Sequence, residues 1–106
     1  MQGTTKEYLS LQAWLHLRYG RTREAITILD GLAVLAPGDN WVHRTISYAH
    51  LQDENFEAAL EHLNRCEQTK SSKTDRLMRV RALWGLGQRD EARKQLAIMG
   101  GRLRDS

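Results

Sequence analysis

Alanine recurs at Ala25, Ala59 and Ala92, at intervals of 34 and 33 residues, inside a repeated frame. Four residues after each stands a leucine (Leu29, Leu63, Leu96), and eight before each a large apolar residue (Leu17, Leu51, Trp84). Two of the three have a glycine five residues earlier, Gly20 and Gly87. A period of this length belongs to stacked helix–turn–helix units. No unit buries its apolar face alone, and neighbouring units together form one continuous core.

The punctuation between the alanines gives six helices in three hairpins. The first runs from about Lys6 to Tyr19 and ends at Gly20, which can take the left-handed cap conformation. The second covers Thr22 to Leu35, with Ala25, Ile28, Leu29 and Leu32 on one face. Pro37-Gly38-Asp39 breaks the chain, and Asp39 or Asn40 caps the third helix, Trp41 to Leu51. The fourth spans Phe56 to Gln68, carrying Phe56, Ala59, Leu60 and Leu63 on one side. After the loop Ser71–Thr74, in which Ser72 and Asp75 form a capping-box pattern, the fifth runs from Asp75 to Leu86 and ends at Gly87. The sixth covers Arg89 to Met99. Gly100-Gly101 is expected to stop it, leaving 102–106 as a frayed tail. No run alternates apolar and polar as a strand would.

The alanines have a steric reason. Each lies in the second helix of its hairpin, where the first must approach closely, and the leucine one turn further fills the same seam. Cys66 stands seven residues after Ala59, as Leu32 and Met99 follow their alanines, and reads as a small core residue. A single cysteine cannot form an internal disulfide, so a reducing cytoplasm is the expected compartment. Met1 to Lys6 contains no apolar run, which argues against a secretory signal, and no stretch is apolar enough to span a bilayer. The net charge is +3, with basic residues mixed among thirteen acidic ones; that balance is weak for a nucleic-acid surface.

The chain resembles a tetratricopeptide repeat protein across nearly all its length, in repeats of about 6–39, 40–72 and 73–101. The matching segments are Tyr19-Gly20-Arg21-Thr22-Arg23-Glu24-Ala25-Ile26 followed by Pro37, then Asn55-Phe56-Glu57-Ala58-Ala59-Leu60, then Gly85-Leu86-Gly87-Gln88-Arg89-Asp90-Glu91-Ala92. Ala13, Ser47 and Val80 replace the glycine usual in the first helix of a repeat, and Arg79 stands where a core leucine is expected, so the fifth helix fits its register least well. The resemblance implies an all-α fold, three hairpins stacked as a short right-handed α-solenoid. The segment Trp14-Leu15-His16-Leu17-Arg18-Tyr19-Gly20, with Ala25, Ile28-Leu29-Asp30-Gly31-Leu32 and Leu35-Ala36-Pro37, is also similar to the start of the YscY-type chaperones of bacterial type III secretion. A needle-subunit co-chaperone is a related candidate. This likeness implies a bacterial cytoplasmic protein that binds a small secreted component and presents it to the export gate.

In such an array the first helix of each hairpin lines the concave face. Measured from the alanines, equivalent positions are Trp14, Tyr48 and Arg81; Leu17, Leu51 and Trp84; Ser10, Arg44 and Leu77; and Arg18, Gln52 and Gly85. Trp41 lies one turn nearer the start of its helix. The expected partner-binding groove is therefore Ser10, Trp14, Leu17, Arg18, Trp41, Arg44, Tyr48, Leu51, Leu77, Arg81 and Trp84. Its aromatic residues would hold apolar side chains of a peptide or helix, and Arg18, Arg44 or Arg81 would meet the ligand's carboxylates. The alternative for Trp14 and Trp84 is packing within the hairpin core.

The sixth helix, with Leu96, Ile98 and Met99, is apolar for a terminal element, so a bound subunit or a second copy in a homodimer is a further expected partner. His43 and His50 lie seven apart without a third ligand at metal spacing, so no metal is expected. No phosphate-binding loop or nucleophile constellation occurs, so neither a cofactor nor an enzyme activity is expected. Two other functions remain open: a generic adaptor or self-associating scaffold, and a nucleic-acid binder through Arg76, Arg79 and Arg81.

Overall fold

A computed structural model describes residues 2–66 and 72–105, with side chains described for 5–66 and 72–100. Six α-helices follow in order: α1 Gln2–Arg18, α2 Thr22–Leu35, α3 Asn40–Gln52, α4 Phe56–Arg65, α5 Lys73–Gly85 and α6 Arg89–Asp105. No strand occurs among the described residues. Each helix packs on the next in sequence, and α3 also meets α5. The chain extends 45 Å along its longest axis and 21 Å along its shortest.

The apolar frame becomes the core. Ala25, Ala59 and Ala92 are completely buried. Around Ala25, the residues Ala13, Leu17, Leu29, Leu32, Val42, Ile46 and Ala49 join α1, α2 and α3. Around Ala59, Leu51, Leu63, Met78 and Ala82 join α3, α4 and α5. Val80, Leu83 and Ala92 join α5 to α6, and Leu60 touches both of these last clusters. Ala13, Ser47 and Val80, the substitutes for the repeat glycine, are all buried, as are Leu32, Cys66 and Met99.

The three turns within the helix pairs close with the same hydrogen bonds. Gly20 N–H donates to Leu17 O and Arg21 N–H to His16 O; Glu54 and Asn55 donate to Leu51 and His50; Gly87 and Gln88 donate to Trp84 and Leu83. The bond spanning six residues is that of a Schellman cap, which needs a left-handed residue just past the helix. Gly20 has φ +76°, Gly87 +82° and Glu54 +58°. Glu54 therefore fills, without a glycine, the place that Gly20 and Gly87 hold in the other turns.

The starts of α3, α4 and α5 are set by side-chain caps, whereas Arg21 before α2 makes none. Asp39 accepts from the N–H groups of Trp41 and Val42, Asn55 accepts from Ala58 N–H, and Ser72 and Asp75 form the reciprocal box at α5. Burial works against the Asp39 carboxylate, but Lys6 and the Val42 and Trp41 N–H groups outweigh it and hold its pKa below the ordinary value.

Three boundaries differ from the expectation by more than two residues. α1 begins at Gln2, four residues before Lys6. α4 ends at Arg65, because Cys66 adopts an extended conformation; the expected continuation to Gln68 and the loop residue Ser71 lie outside the described residues. α6 passes through Gly100 and Gly101 to Asp105, so that pair does not stop the helix and 102–105 is helical rather than frayed. Two glycines disfavour a helix by about 1 kcal/mol each, a cost that flanking helix-formers can meet unless a left-handed cap also forms. Gly100 takes no left-handed φ.

Candidate partner-binding groove

α1, α3 and α5 together present one face that is largely aromatic and apolar. Trp14, Leu17 and Arg18 from α1, Trp41, Arg44, Thr45 and Tyr48 from α3, and Thr74 and Met78 from α5 surround an open hollow of about 440 Å³. That volume lies in the range of ligand-sized clefts. A second hollow, lined by Tyr48, Leu51, Gln52, Thr74, Leu77, Met78 and Arg81, shares Tyr48, Thr74 and Met78 with the first. A third is bounded by Phe56, Leu77, Val80, Arg81, Trp84, Gly85 and Leu96, and joins the second through Leu77 and Arg81. At the opposite end, Lys6, Glu7, Ser10, Asp39 and Trp41 line a hollow that meets the first at Trp41. All eleven residues predicted for the groove thus lie along one connected series of depressions.

Their roles within it differ. Trp14 is 47% exposed and Trp84 44%, so neither is a core side chain. Leu17 and Leu51, at 8% and 5%, form the floor, buried from one side and touching the hollow from the other. Trp84 does not take the place of Leu17 and Leu51 in α5; the neighbouring Leu83 is buried instead. Trp84 faces the hollow around Phe56, its indole overlaid by the guanidinium groups of Arg89 at 5.0 Å and Arg93 at 5.7 Å. Both distances suit cation–π attraction. Arg18 lies similarly over Trp14 at 5.3 Å.

Arg44 lines the first hollow and is also paired across to α5. Its Nε donates to Asp75 Oδ2 at 2.8 Å and stands 2.7 Å from Oδ1. Its charge is met within the chain, and the pair ties α3 to α5; Arg18 and Arg81 line the same series of hollows without an ion pair among the described residues. Lys6 is likewise paired with Asp39.

Thr45, Thr74 and Met78 were not anticipated in the groove, although the alanine spacing contains them. Thr45 and Met78 both stand fourteen residues before an alanine, and Trp41 and Thr74 both eighteen before. The arginines of α5 do not form one patch. Arg79 turns away to Asn64 Oδ1 and the Leu63 carbonyl, while Arg81 faces the groove.

A histidine cluster sits between α3 and α4. The His62 ring stacks on His43, centroids 5.4 Å apart, and on His50 at 5.8 Å. His62 was missed because proximity across a hairpin depends on where two helices cross. No group of three or more His, Cys, Asp or Glu has metal-holding geometry among the described residues. Burial raises the Cys66 thiol pKa, and Asp75 adds to that effect against Arg44 and Arg79, so the thiol is not activated as a nucleophile. No helix among the described residues is long and apolar enough to cross a membrane.

No protein-family model matches the chain, and no curated protein matches it either.

Proposed function

We infer that the chain is a three-repeat, tetratricopeptide-like array, a short right-handed α-solenoid, that holds a helical or extended segment of a small protein against α1, α3 and α5. The observation that carries this reading is the connected row of half-exposed aromatic residues, Trp14, Trp41, Tyr48 and Trp84, on alternate helices. Supporting the array are the three equivalent turns, the buried alanines at the repeat interval and the elongated outline. Aromatic side chains offer large contact area at small entropic cost, and arginines beside them select acidic groups on the ligand.

The particular role proposed is that of a type III secretion chaperone of the YscY kind, acting in the bacterial cytoplasm. It would shield an apolar segment of a secreted component and hand it to the export gate. The test is titration calorimetry of the purified chain with the small secreted proteins of the same secretion system. One of them should bind, and the Trp41→Ala/Tyr48→Ala double variant should weaken that binding by at least about tenfold. Equal affinity of the double variant and the unaltered chain would remove the groove reading.

A further inference from the structure

α1 carries apolar side chains on two opposite faces. Leu9, Ala13 and Leu17 turn toward α2 and the core. Tyr8, Leu11 and Leu15, continued by Tyr19 in the turn just past α1, stand at steps of three, four and four residues and form a ridge on the other side, and their exposures run from 38% to 72%. A helix at the surface of a protein normally shows polar residues there; a helix apolar on both faces is expected to be covered on both.

The ridge reads nearly the same from either end, tyrosine–leucine–leucine–tyrosine. Such a strip is self-complementary in an antiparallel pair: a two-fold axis between Leu11 and Leu15 sets Tyr8 against Tyr19 of the second copy and Leu11 against its Leu15. The charges obey the same axis. Glu7 and Arg18, eleven residues or about three turns apart, lie along one flank of the ridge. Both are exposed, and neither makes an ion pair among the described residues. Antiparallel pairing brings Glu7 of each copy to Arg18 of the other, giving two ion pairs related by symmetry. A parallel pair would instead put the Glu7 and Arg18 flanks of the two copies on opposite sides of the seam and form neither ion pair.

From this pattern we propose that the chain forms a two-fold symmetric dimer through the outer face of α1, with the two α1 helices antiparallel. This goes beyond the groove reading and does not depend on it. Arg18 borders both surfaces, whereas Trp41 and Tyr48 belong to the groove alone and Tyr8, Leu11 and Leu15 to the ridge alone.

Analytical ultracentrifugation of the full chain over a range of concentrations tests the proposal. The expected mass is twice the 12.2 kDa of the monomer. Leu11→Asp, which places a carboxylate in the seam from both sides, should give a monomer with unchanged helical circular dichroism. Glu7→Arg alone turns both ion pairs into repulsions and should weaken the dimer about tenfold, as should Arg18→Glu. The double swap Glu7→Arg/Arg18→Glu should return the dissociation constant to within about twofold of the original. A chain that stays monomeric at every concentration overturns the proposal. So does a dimer indifferent to Leu11→Asp, or one that the double swap fails to restore. The Trp41→Ala/Tyr48→Ala variant should dimerise normally, which separates failure of this inference from failure of the groove.

Discussion

His43 and His62 face one another through their Nδ1 atoms at 3.2 Å, while His43 Nε2 lies 2.6 Å from the Pro37 carbonyl oxygen. A carbonyl only accepts, so His43 Nε2 carries a proton. When His43 is neutral, its Nδ1 is therefore bare and accepts from His62 Nδ1–H. The contact survives one added proton but not two, since two charged rings would oppose N–H to N–H. Burial depresses the His62 pKa, with Arg65, His43 and His50 adding to the effect and Asp30 from α2 opposing it. A folded-state pKa below the unfolded one means that the unfolded chain binds more protons as pH falls. The stability is then present above about pH 6.5, the unfolded value, and is lost as pH drops through the folded value. Thermal melts should show a midpoint that is level at pH 7–8 and falls on acidification, with a shallower fall in His62→Gln. An equally steep fall in that variant would show that His62 is not the group responsible.

Asp75 performs two tasks with one carboxylate. Oδ2 accepts from Ser72 N–H at 3.1 Å, closing the capping box, and from Arg44 Nε. Its side chain is 3% exposed, against 30% for Arg44. Asp75→Ala should cost about 2–3 kcal/mol: roughly 1 from the cap, and the rest from an arginine left without its carboxylate in a half-solvated site. Urea unfolding of Arg44→Met, Asp75→Ala and the pair together gives the coupling. The double variant should lose less than the sum of the singles. Additive losses would mean that the ion pair contributes nothing.

Much of this was readable from the alanine period because close helix crossings impose the same steric demand in every unit. Ala25, Ala59 and Ala92 are buried for that reason, and the same ruler placed the groove residues on alternate helices. What escaped it was decided by conformation or by contacts across units. Glu54 has no sequence signature for a left-handed residue, yet the turn it closes demands one. Arg44 stands in the groove where the period puts it, but the period carries no sign of its bond to Asp75, 31 residues later. Leu83 rather than Trp84 fills the α5 seam, the local shift that the polar Arg79 had hinted at.

Gly85 shows packing overriding helix propensity. It lies in the last turn of α5, where alanine would ordinarily be favoured by about 1 kcal/mol. A Cβ added there would stand 2.5 Å from Cδ2 and Cε2 of Phe56 and 2.6 Å from Cγ, so the whole ring would have to move. Gly85→Ala should therefore destabilise the chain by about 1–3 kcal/mol. In a Phe56→Ala background the same change should become neutral or stabilising. A Gly85→Ala chain as stable as the original would mean that Phe56 relaxes freely.

Glu54 provides the converse case. Its φ of +58° matches Gly20 and Gly87, and its turn makes the same pair of backbone bonds. A side chain costs about 1–2 kcal/mol in the left-handed region, from which the extra unfolded-state freedom of glycine, about 0.5–1 kcal/mol, must be subtracted. Glu54→Gly should accordingly stabilise the chain by about 0.5–1 kcal/mol. Gly20→Ala and Gly87→Ala should each destabilise it by a similar amount. A Cβ at either glycine would meet nothing within 4 Å, so their penalty is one of backbone alone. Chemical unfolding of the three variants should return opposite signs at structurally equivalent positions. A destabilised Glu54→Gly chain would show that the glutamate side chain makes a contribution larger than its strain.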